Sequence, residues 1–219
     1  QAYWFIPFLT ASGGWPLKDG TFNLNTPQMV AALTTYREMI NRYPVAECEL
    51  MCNEQAFIKG EVTYLIDGDW AYQTLKDLLG DKLGVALLPS LGGKPMVPLS
   101  SSYVMARRGD LSDSKQRASE ELVRFLLSDE RQKALYQRSK LFPSVGKVAE
   151  RLADNMSDDM RVLHQQLLKS RAMPNDRSMM IVWLVMGKCL ELYLSDEYSA
   201  KETAENMQTM ALEEGGNNR

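Results

Sequence analysis

The stretch from Glu54 to Tyr72 constrains the fold of this chain more than any other, because its periodicity changes twice within nineteen residues. A short helical turn is followed by Gly60, and glycine suits the left-handed position that ends many helices. The branched and aromatic residues from Val62 to Ile66 then favour a strand. Gly68 permits a sharp turn before a new helix opens at Trp70. The pattern predicts an aromatic ring where a strand ends and a helix begins, which is the edge at which open α/β sheets bind ligands.

Length and charge exclude several classes of function. With 219 residues, of which 45% are hydrophobic, the chain can bury a substantial core in one large or two small domains. Its formal charge of -3 and pI of about 5.4 give no reason to expect nucleic acid or an anionic membrane as a partner. The longest apolar run, Met179 to Gly187, is far shorter than the roughly 20 residues that span a bilayer. We therefore expect no transmembrane segment.

The metal-binding and redox side chains are few. His164 is the only histidine, and the three cysteines form no Cys-x-x-Cys pair, so we expect no metal and no cofactor. Cys48 and Cys52 are four residues apart, and they could pair in an oxidising compartment or stay as thiols. The odd number of cysteines argues against a fold built on disulfides.

Helices and strands alternate along the rest of the chain. Proline follows the capping residue Thr26 and opens a helix, Ser128 is placed to cap another, and the most apolar helix runs from Met179 to Leu194. Further strands are predicted at Leu83 to Leu88 and in the apolar run after Leu99. This order predicts an α/β fold.

Three motifs resemble the extracellular solute-binding proteins of ABC importers, in particular the maltose-binding-protein-like family. They are Phe57-x-x-Gly60 leading through a strand into Gly68-x-Trp70, Tyr3-Trp4-x-x-Pro7 running into Gly13-Gly14, and Met173-Pro174-Asn175 followed eight residues later by Trp183. The resemblance covers almost the whole chain.

The resemblance implies a two-lobed fold of the periplasmic binding protein type II class. Residues 1–99 and 145–219 would belong to the C-terminal lobe, and residues 100–144 to the N-terminal lobe, with hinge crossings at both ends of that segment. The chain opens without a methionine and enters an apolar segment at once. We therefore expect it to be the C-terminal portion of a longer protein.

Carbohydrate recognition needs flat aromatic surfaces for ring faces and oriented polar groups for hydroxyls. The resemblance implies that Tyr3, Trp4, Trp70 and Trp183 supply the surfaces, while packing in the core is the alternative for each ring. Candidates for the polar contacts are Asp67, Asp69, Tyr72 and Glu54. Asp69 stands where maltose-binding protein has a proline, and both aspartates could instead bond the backbone of their own turn.

The resemblance implies a monomeric, periplasmic or extracellular binding protein that delivers a sugar or oligosaccharide to ABC permease subunits and has no enzymatic activity. One alternative is a cationic ligand such as a polyamine, held by the aromatic rings with Asp67 or Asp69 opposing the charge. A sensor module derived from a binding protein is another. A glycoside hydrolase needs two carboxylates at a defined separation, and no such pair stands out in the sequence.

Overall fold

The computed structural model describes residues 2–43 and 52–216. Within these residues, packing defines two compact units. The first unit comprises residues 2–43, 88–101 and 169–216, and the second unit comprises residues 52–87 and 102–168. The predicted lobe segments 1–99, 100–144 and 145–219 are a different division, which follows the crossings of the family fold, and they stay a prediction.

Helices dominate both units. In chain order, the α-helices of the described residues are α1 (Ala2–Ala11), α2 (Pro27–Arg42), α3 (Cys52–Ile58), α4 (Tyr72–Leu79), α5 (Asp113–Leu126), α6 (Asp129–Ser139), α7 (Gly146–Ala153), α8 (Asp158–Leu168), α9 (Arg177–Leu194) and α10 (Ala200–Gly216). Short 3-10 helices cover Asp69–Ala71 and Gly80–Lys82.

The strands of the described residues are two residues long and pair in twos. β1 (Leu17–Lys18) pairs antiparallel with β2 (Thr21–Phe22), β3 (Ser90–Leu91) antiparallel with β4 (Lys94–Pro95), and β5 (Leu99–Ser100) parallel with β6 (Arg171–Ala172). The registers place Leu17 opposite Phe22, Ser90 opposite Pro95, and Leu99 opposite Arg171. All three pairs belong to the first unit.

The core of the first unit lies between α1, α2, α9 and α10. Its largest fully buried side chains include Phe5, Leu33, Leu190, Tyr193 and Met207. The start of α2 follows from the sequence, because the Thr26 hydroxyl oxygen accepts a hydrogen bond from the Met29 amide at 3.1 Å. The buried side chains of this core pack α1 against α9.

The second unit has a smaller core, formed chiefly by α4, α6 and α8. Its buried residues include Tyr72, Leu75, Leu83, Tyr136 and Met160. Gly60 ends the α3 turn with a φ of 77°, and its amide donates to the Phe57 carbonyl at 3.0 Å, as predicted for the left-handed helix end.

Three strand predictions are wrong within the described residues, and one capping prediction holds in its position alone. Val62–Ile66 and Leu83–Leu88 form no ladder, and the run after Leu99 pairs only through Ser100. The reason is that a strand is defined by its partner, and propensity carries no information about a distant partner. Ser128 stands at the N-cap of α6, but its hydroxyl donates to the Phe125 carbonyl at 2.7 Å and makes no capping bond.

Candidate functional site

Three of the four predicted rings lie together in the first unit. The Tyr3 and Trp4 rings meet edge to face, with centroids 5.2 Å apart and planes at 86°. The Trp183 ring lies 6.3 Å from the Tyr3 ring with an interplanar angle of 32°. All three side chains are half-buried. We call Tyr3, Trp4 and Trp183 the aromatic cluster.

The cluster forms because α1 packs against α9. Tyr3 and Trp4 occupy the first turn of α1, just ahead of the fully buried Phe5. Trp183 follows the buried Val182 on α9. The Tyr3 hydroxyl donates to the Leu99 carbonyl at 3.2 Å, which fixes the direction of its ring. Such half-buried, oriented rings provide flat apolar surface beside polar edges.

Trp70 lies in the second unit and is 50% exposed. Its ring lies against the backbone of Gly68, so that a Cβ added at that position would come within 2.3 Å of two ring atoms. The backbone of Gly68 is extended, with φ -86° and ψ 167°, a conformation that any residue can adopt. Glycine is therefore required there by the approach of the ring, which settles the role of Gly68 in the predicted motif.

Several acidic residues precede this tryptophan in the sequence. Asp67 accepts a hydrogen bond from the Gly68 amide at 2.6 Å, which is the turn-forming role considered for it. Burial raises the pKa of Asp69, while backbone hydrogen bonds from its own amide and that of Trp70 oppose the rise. Burial raises the pKa of Glu54, and so do a hydrogen bond to Asp67 and its charge.

The surroundings of Tyr72 are those of a core residue that stabilises the fold. Its ring is 8% exposed and belongs to the core of the second unit. Its hydroxyl donates to Asp159 at 3.1 Å, and the same carboxylate pairs with Lys76 at 3.1 Å. Burial raises the pKa of Tyr72, and the bond to Asp159 raises it further. It lines a cavity of about 660 Å³ together with residues of α6, α7 and α8, including Tyr136.

One further aromatic was not singled out from the sequence. Trp15 is half-buried against the core of the first unit, and the Arg171 guanidinium lies 4.1 Å from its ring centroid. Its position directly after Gly13-Gly14 was the only signal in the sequence. It has no ring contact with the aromatic cluster among the described side chains, and this makes it a useful control residue.

Each unit thus carries part of the predicted site. Tyr3, Trp4 and Trp183 belong to the first unit, and Trp70, Asp67, Asp69 and Tyr72 belong to the second. The prediction that all of them contact one ligand stays a prediction.

No group of three or more potential histidine, cysteine or carboxylate ligands occurs in residues 2–43 and 52–216. None of the helices in these ranges has the length and apolar character needed to cross a membrane. Cys189 is a buried free thiol, 3.7 Å from the Met210 sulfur. The open question of a Cys48–Cys52 disulfide lies outside the described side chains.

Comparison with solved structures defines the class of the fold. The chain superimposes on the maltose/maltodextrin-binding domain MalE from Bdellovibrio bacteriovorus, solved with maltotriose bound, with a TM-score of 0.82 and 21% identity. The match covers 98% of this chain and 57% of that structure. The fold is that of the type II periplasmic binding proteins, as predicted.

Sequence comparison gives the family. The profile described as bacterial extracellular solute-binding protein matches residues 1–162. A galactooligosaccharide-binding protein of Bacillus subtilis (strain 168) is 24% identical over 218 residues, which are 92% of this chain and 51% of the relative. A maltooligosaccharide ABC transporter solute-binding lipoprotein of Streptococcus pneumoniae serotype 4 is 27% identical over 159 residues, 72% of this chain and 37% of the relative.

The chain belongs to the bacterial extracellular solute-binding proteins. The expected family and the expected periplasmic or extracellular location are confirmed. The 219 residues span about half the length of the Bacillus relative and less of the Streptococcus one.

Proposed function

We propose that this chain is part of a sugar- or oligosaccharide-binding protein that delivers its ligand to the permease of an ABC transporter. The observation that carries the proposal is the aromatic cluster, in which Tyr3, Trp4 and Trp183 present half-buried rings on one unit. The names of the relatives support a saccharide as the ligand, since both bind oligosaccharides. The protein acts by binding, and it carries out no catalysis.

The rings would stack on the apolar faces of sugar rings, while backbone and side-chain polar groups bind the hydroxyls. Trp70 would add a fourth surface from the second unit, with Asp69 as an acceptor beside it. In this family fold the ligand would lie between two lobes, and its contacts with both would favour the closed form.

The test is calorimetric titration with maltotriose and with a galactooligosaccharide. Replacing Trp183 by Leu should weaken sugar binding by about 1.5 kcal/mol, roughly tenfold in Kd, because one stacking surface is lost. Replacing Trp15 by Leu is the matched control, since it removes an equally large half-buried ring outside the cluster, and it should leave the affinity unchanged. Equal affinities for both variants and the parent would contradict the proposal.

A second candidate rests on the acidic surroundings of Trp70. Asp67 and Asp69 stand three residues and one residue before this half-exposed ring, and Glu54 is hydrogen-bonded to Asp67, a composition suited to a cationic ligand such as a polyamine. Titration with spermidine separates the two candidates. If the ligand is cationic, spermidine should bind where maltotriose does not, and Asp69→Asn should abolish the spermidine binding.

The two remaining hypotheses, a glycoside hydrolase and a sensor module, have simple tests. Incubation with maltotriose followed by an assay for reducing ends would reveal a glycoside hydrolase, and we expect no turnover. A sensor module would be recognised by a response to sugar in signalling without uptake, whereas the transport proposal expects labelled sugar to enter cells only when the permease is present.

A further inference from the structure

The cavity of about 660 Å³ that Tyr72 lines belongs wholly to the second unit, where α6, α7 and α8 supply most of its walls. Small-molecule sites commonly have volumes of roughly 300 to 1,000 Å³, so this one is large enough for a ligand. Among the described residues predicted to contact sugar, only Tyr72 lines it, and the hydroxyl of that residue is already bonded to Asp159. We call it the α6–α8 cavity. It shares no residue with the aromatic cluster.

Buried side chains form the inner wall of the α6–α8 cavity. Val148 is 4% exposed, Met160 is 2% exposed, and Leu152 adds a third aliphatic surface. The rings of Tyr72 and Tyr136 are each 8% exposed. A sugar ring stacks on an open aromatic face, and rings that expose so little surface offer none. The inner wall therefore suits a compact apolar group.

One polar group on this wall has no partner. The Tyr136 hydroxyl makes no hydrogen bond within the described part of the chain, although the residue is almost fully buried. In that part of the chain, the side-chain atom that is both sealed from solvent and unpaired is Nε of Arg37, so the Tyr136 oxygen reaches the open space of the cavity. Burial raises the pKa of Tyr136, so the hydroxyl keeps its proton at neutral pH and can donate it to a ligand in a hydrogen bond.

Two lysines stand beside this hydroxyl. Lys133 precedes Tyr136 by three residues and Lys140 follows it by four, so the three residues share one face of α6 and its C-cap. All three line the cavity. The Lys140 ammonium lies 6.0 Å from the centroid of the Tyr136 ring and donates to the Gln137 carbonyl at 3.1 Å. Flexible four-carbon stems let both ammonium groups turn towards an anion next to the hydroxyl.

The carboxylates that line the cavity already have cationic partners. Asp129 pairs with Arg151 at 2.6 Å, and Glu130 pairs with Arg131 at 3.7 Å. By contrast, the two lysines take part in no ion pair within residues 2–43 and 52–216. The charge left unmatched at this wall is therefore positive.

We propose that the α6–α8 cavity binds an organic carboxylate with a compact apolar body. The carboxylate accepts a hydrogen bond from the Tyr136 hydroxyl and lies near the ammonium groups of Lys133 and Lys140. The apolar body lies against Val148 and Met160. This binding is independent of the sugar, because none of these residues belongs to the candidate sugar site.

Two simpler ligands fit the cavity less well. An inorganic anion would use the lysines and the hydroxyl, but it would leave the aliphatic wall uncovered and so gain nothing from the hydrophobic effect. A neutral apolar molecule would cover the wall and leave the Tyr136 hydroxyl buried without an acceptor, which is unfavourable. An organic carboxylate satisfies both kinds of surface.

Calorimetric titration with matched compounds tests the charge and the apolar body together. 4-Phenylbutyrate should bind, and the neutral alcohol 4-phenylbutan-1-ol should bind at least about tenfold more weakly. The cation 4-phenylbutylamine and inorganic phosphate should show no detectable binding. The measurement is made on this chain and on a longer product of the same gene. Equal affinities for the acid, the alcohol and the amine would overturn the proposal, and so would a longer product that does not bind the acid.

Tyr136→Phe locates the site, because it removes the hydroxyl alone. The variant should leave Tm unchanged, since the hydroxyl has no partner among the described residues, and should weaken 4-phenylbutyrate binding about tenfold. Tyr36→Phe is the matched control, because Tyr36 is 7% exposed in the first unit and its hydroxyl also lacks a hydrogen bond within the described ranges. It should change neither quantity. An unchanged affinity in Tyr136→Phe would show that the acid binds elsewhere and that the proposal is wrong.

The lysines have a control of their own. Lys133→Gln should weaken 4-phenylbutyrate binding roughly threefold, since the ammonium group is exposed and its attraction is screened. Lys147→Gln makes the same change of charge at an exposed position of α7 that does not line the cavity, and it should have no effect. Equal affinities in the two variants would contradict a contact with Lys133.

Maltotriose keeps this proposal separate from the proposed function. A saturating concentration of maltotriose should not displace 4-phenylbutyrate, and Trp183→Leu should leave the affinity for the acid unchanged. Displacement by maltotriose would mean that the acid binds in the sugar site, which would overturn the proposal for the cavity. Binding of 4-phenylbutyrate by a protein that binds no maltotriose would count against the proposed function alone.

Discussion

At the scale of single residues, Gly68 is the position whose identity the structure explains most directly. A Cβ there would come within 2.3 Å of the Trp70 ring, while the backbone itself is unstrained. We expect Gly68→Ala to displace this half-exposed ring, at a cost of about 1 kcal/mol of folding free energy. Tryptophan fluorescence and Tm would both report the change.

The matched control for this change is Gly84→Ala, because a Cβ at Gly84 meets nothing within 4 Å. It should leave the tryptophan emission and Tm of the protein unchanged. An identical response of the two variants would mean that the ring does not lie against Gly68.

Glu54 gives a prediction about pH. Burial, the hydrogen bond to Asp67 and the charge of that residue raise the pKa of Glu54 above its ordinary value of 4.5. The folded protein therefore binds the carboxyl proton of Glu54 more tightly than the unfolded chain does. The resulting stabilisation is fully present below pH 4.5 and is lost as pH rises through the folded pKa.

We therefore expect Glu54→Gln to raise Tm relative to the parent at neutral pH, because the neutral amide can still donate to Asp67 without ionising. The advantage should disappear at pH 4. Glu61→Gln, at an exposed position a few residues further along the chain, serves as the control. A Tm difference for Glu54→Gln that is the same at both pH values would contradict this account.

At the scale of elements, the sequence predicted correctly those features whose cause is local. The cap at Thr26, the left-handed Gly60 and the long apolar helix α9 each depend on residues within a turn or two. The strand at Val62–Ile66 depends on a distant partner, and within the described residues it has none. Branched and aromatic residues favour an extended chain, but they do not specify which strand lies beside it.

The predictions about the candidate site also differ according to whether their cause is close in sequence or distant. Spacing and resemblance identified Tyr3 and Trp183, and the packing of α1 on α9 brings them within 6.3 Å. The environment of Tyr72 was not predictable, because its partner Asp159 is 87 residues away in sequence. The role of Gly68 was predicted as a turn, whereas its physical reason is the ring that lies on it.

The start of α2 offers a prediction at this scale. Thr26→Ala removes the oxygen that accepts from the Met29 amide, so the first turn loses one of its few satisfied donors. We expect a loss of about 1 kcal/mol in the free energy of unfolding, measured by urea denaturation. Thr26→Ser keeps the acceptor and should stay within about 0.5 kcal/mol of the parent. Equal losses for both variants would show that the methyl group, and not the cap, matters.

At the scale of the whole molecule, the proposed function requires two lobes that close over one ligand. A ligand stabilises the closed form only through contacts that the open form lacks, so affinity depends on both lobes being present. The 219 residues span 51% of the Bacillus relative, and the predicted lobe division gives them only part of such a pair. We therefore expect this chain alone to bind maltotriose weakly, and a longer product of the same gene to bind it at least about tenfold more tightly. Calorimetry on both polypeptides at the same temperature and salt measures the difference. Equal, tight binding by the two would mean that the aromatic cluster of the first unit is a complete site by itself, and that closure between lobes contributes nothing to affinity.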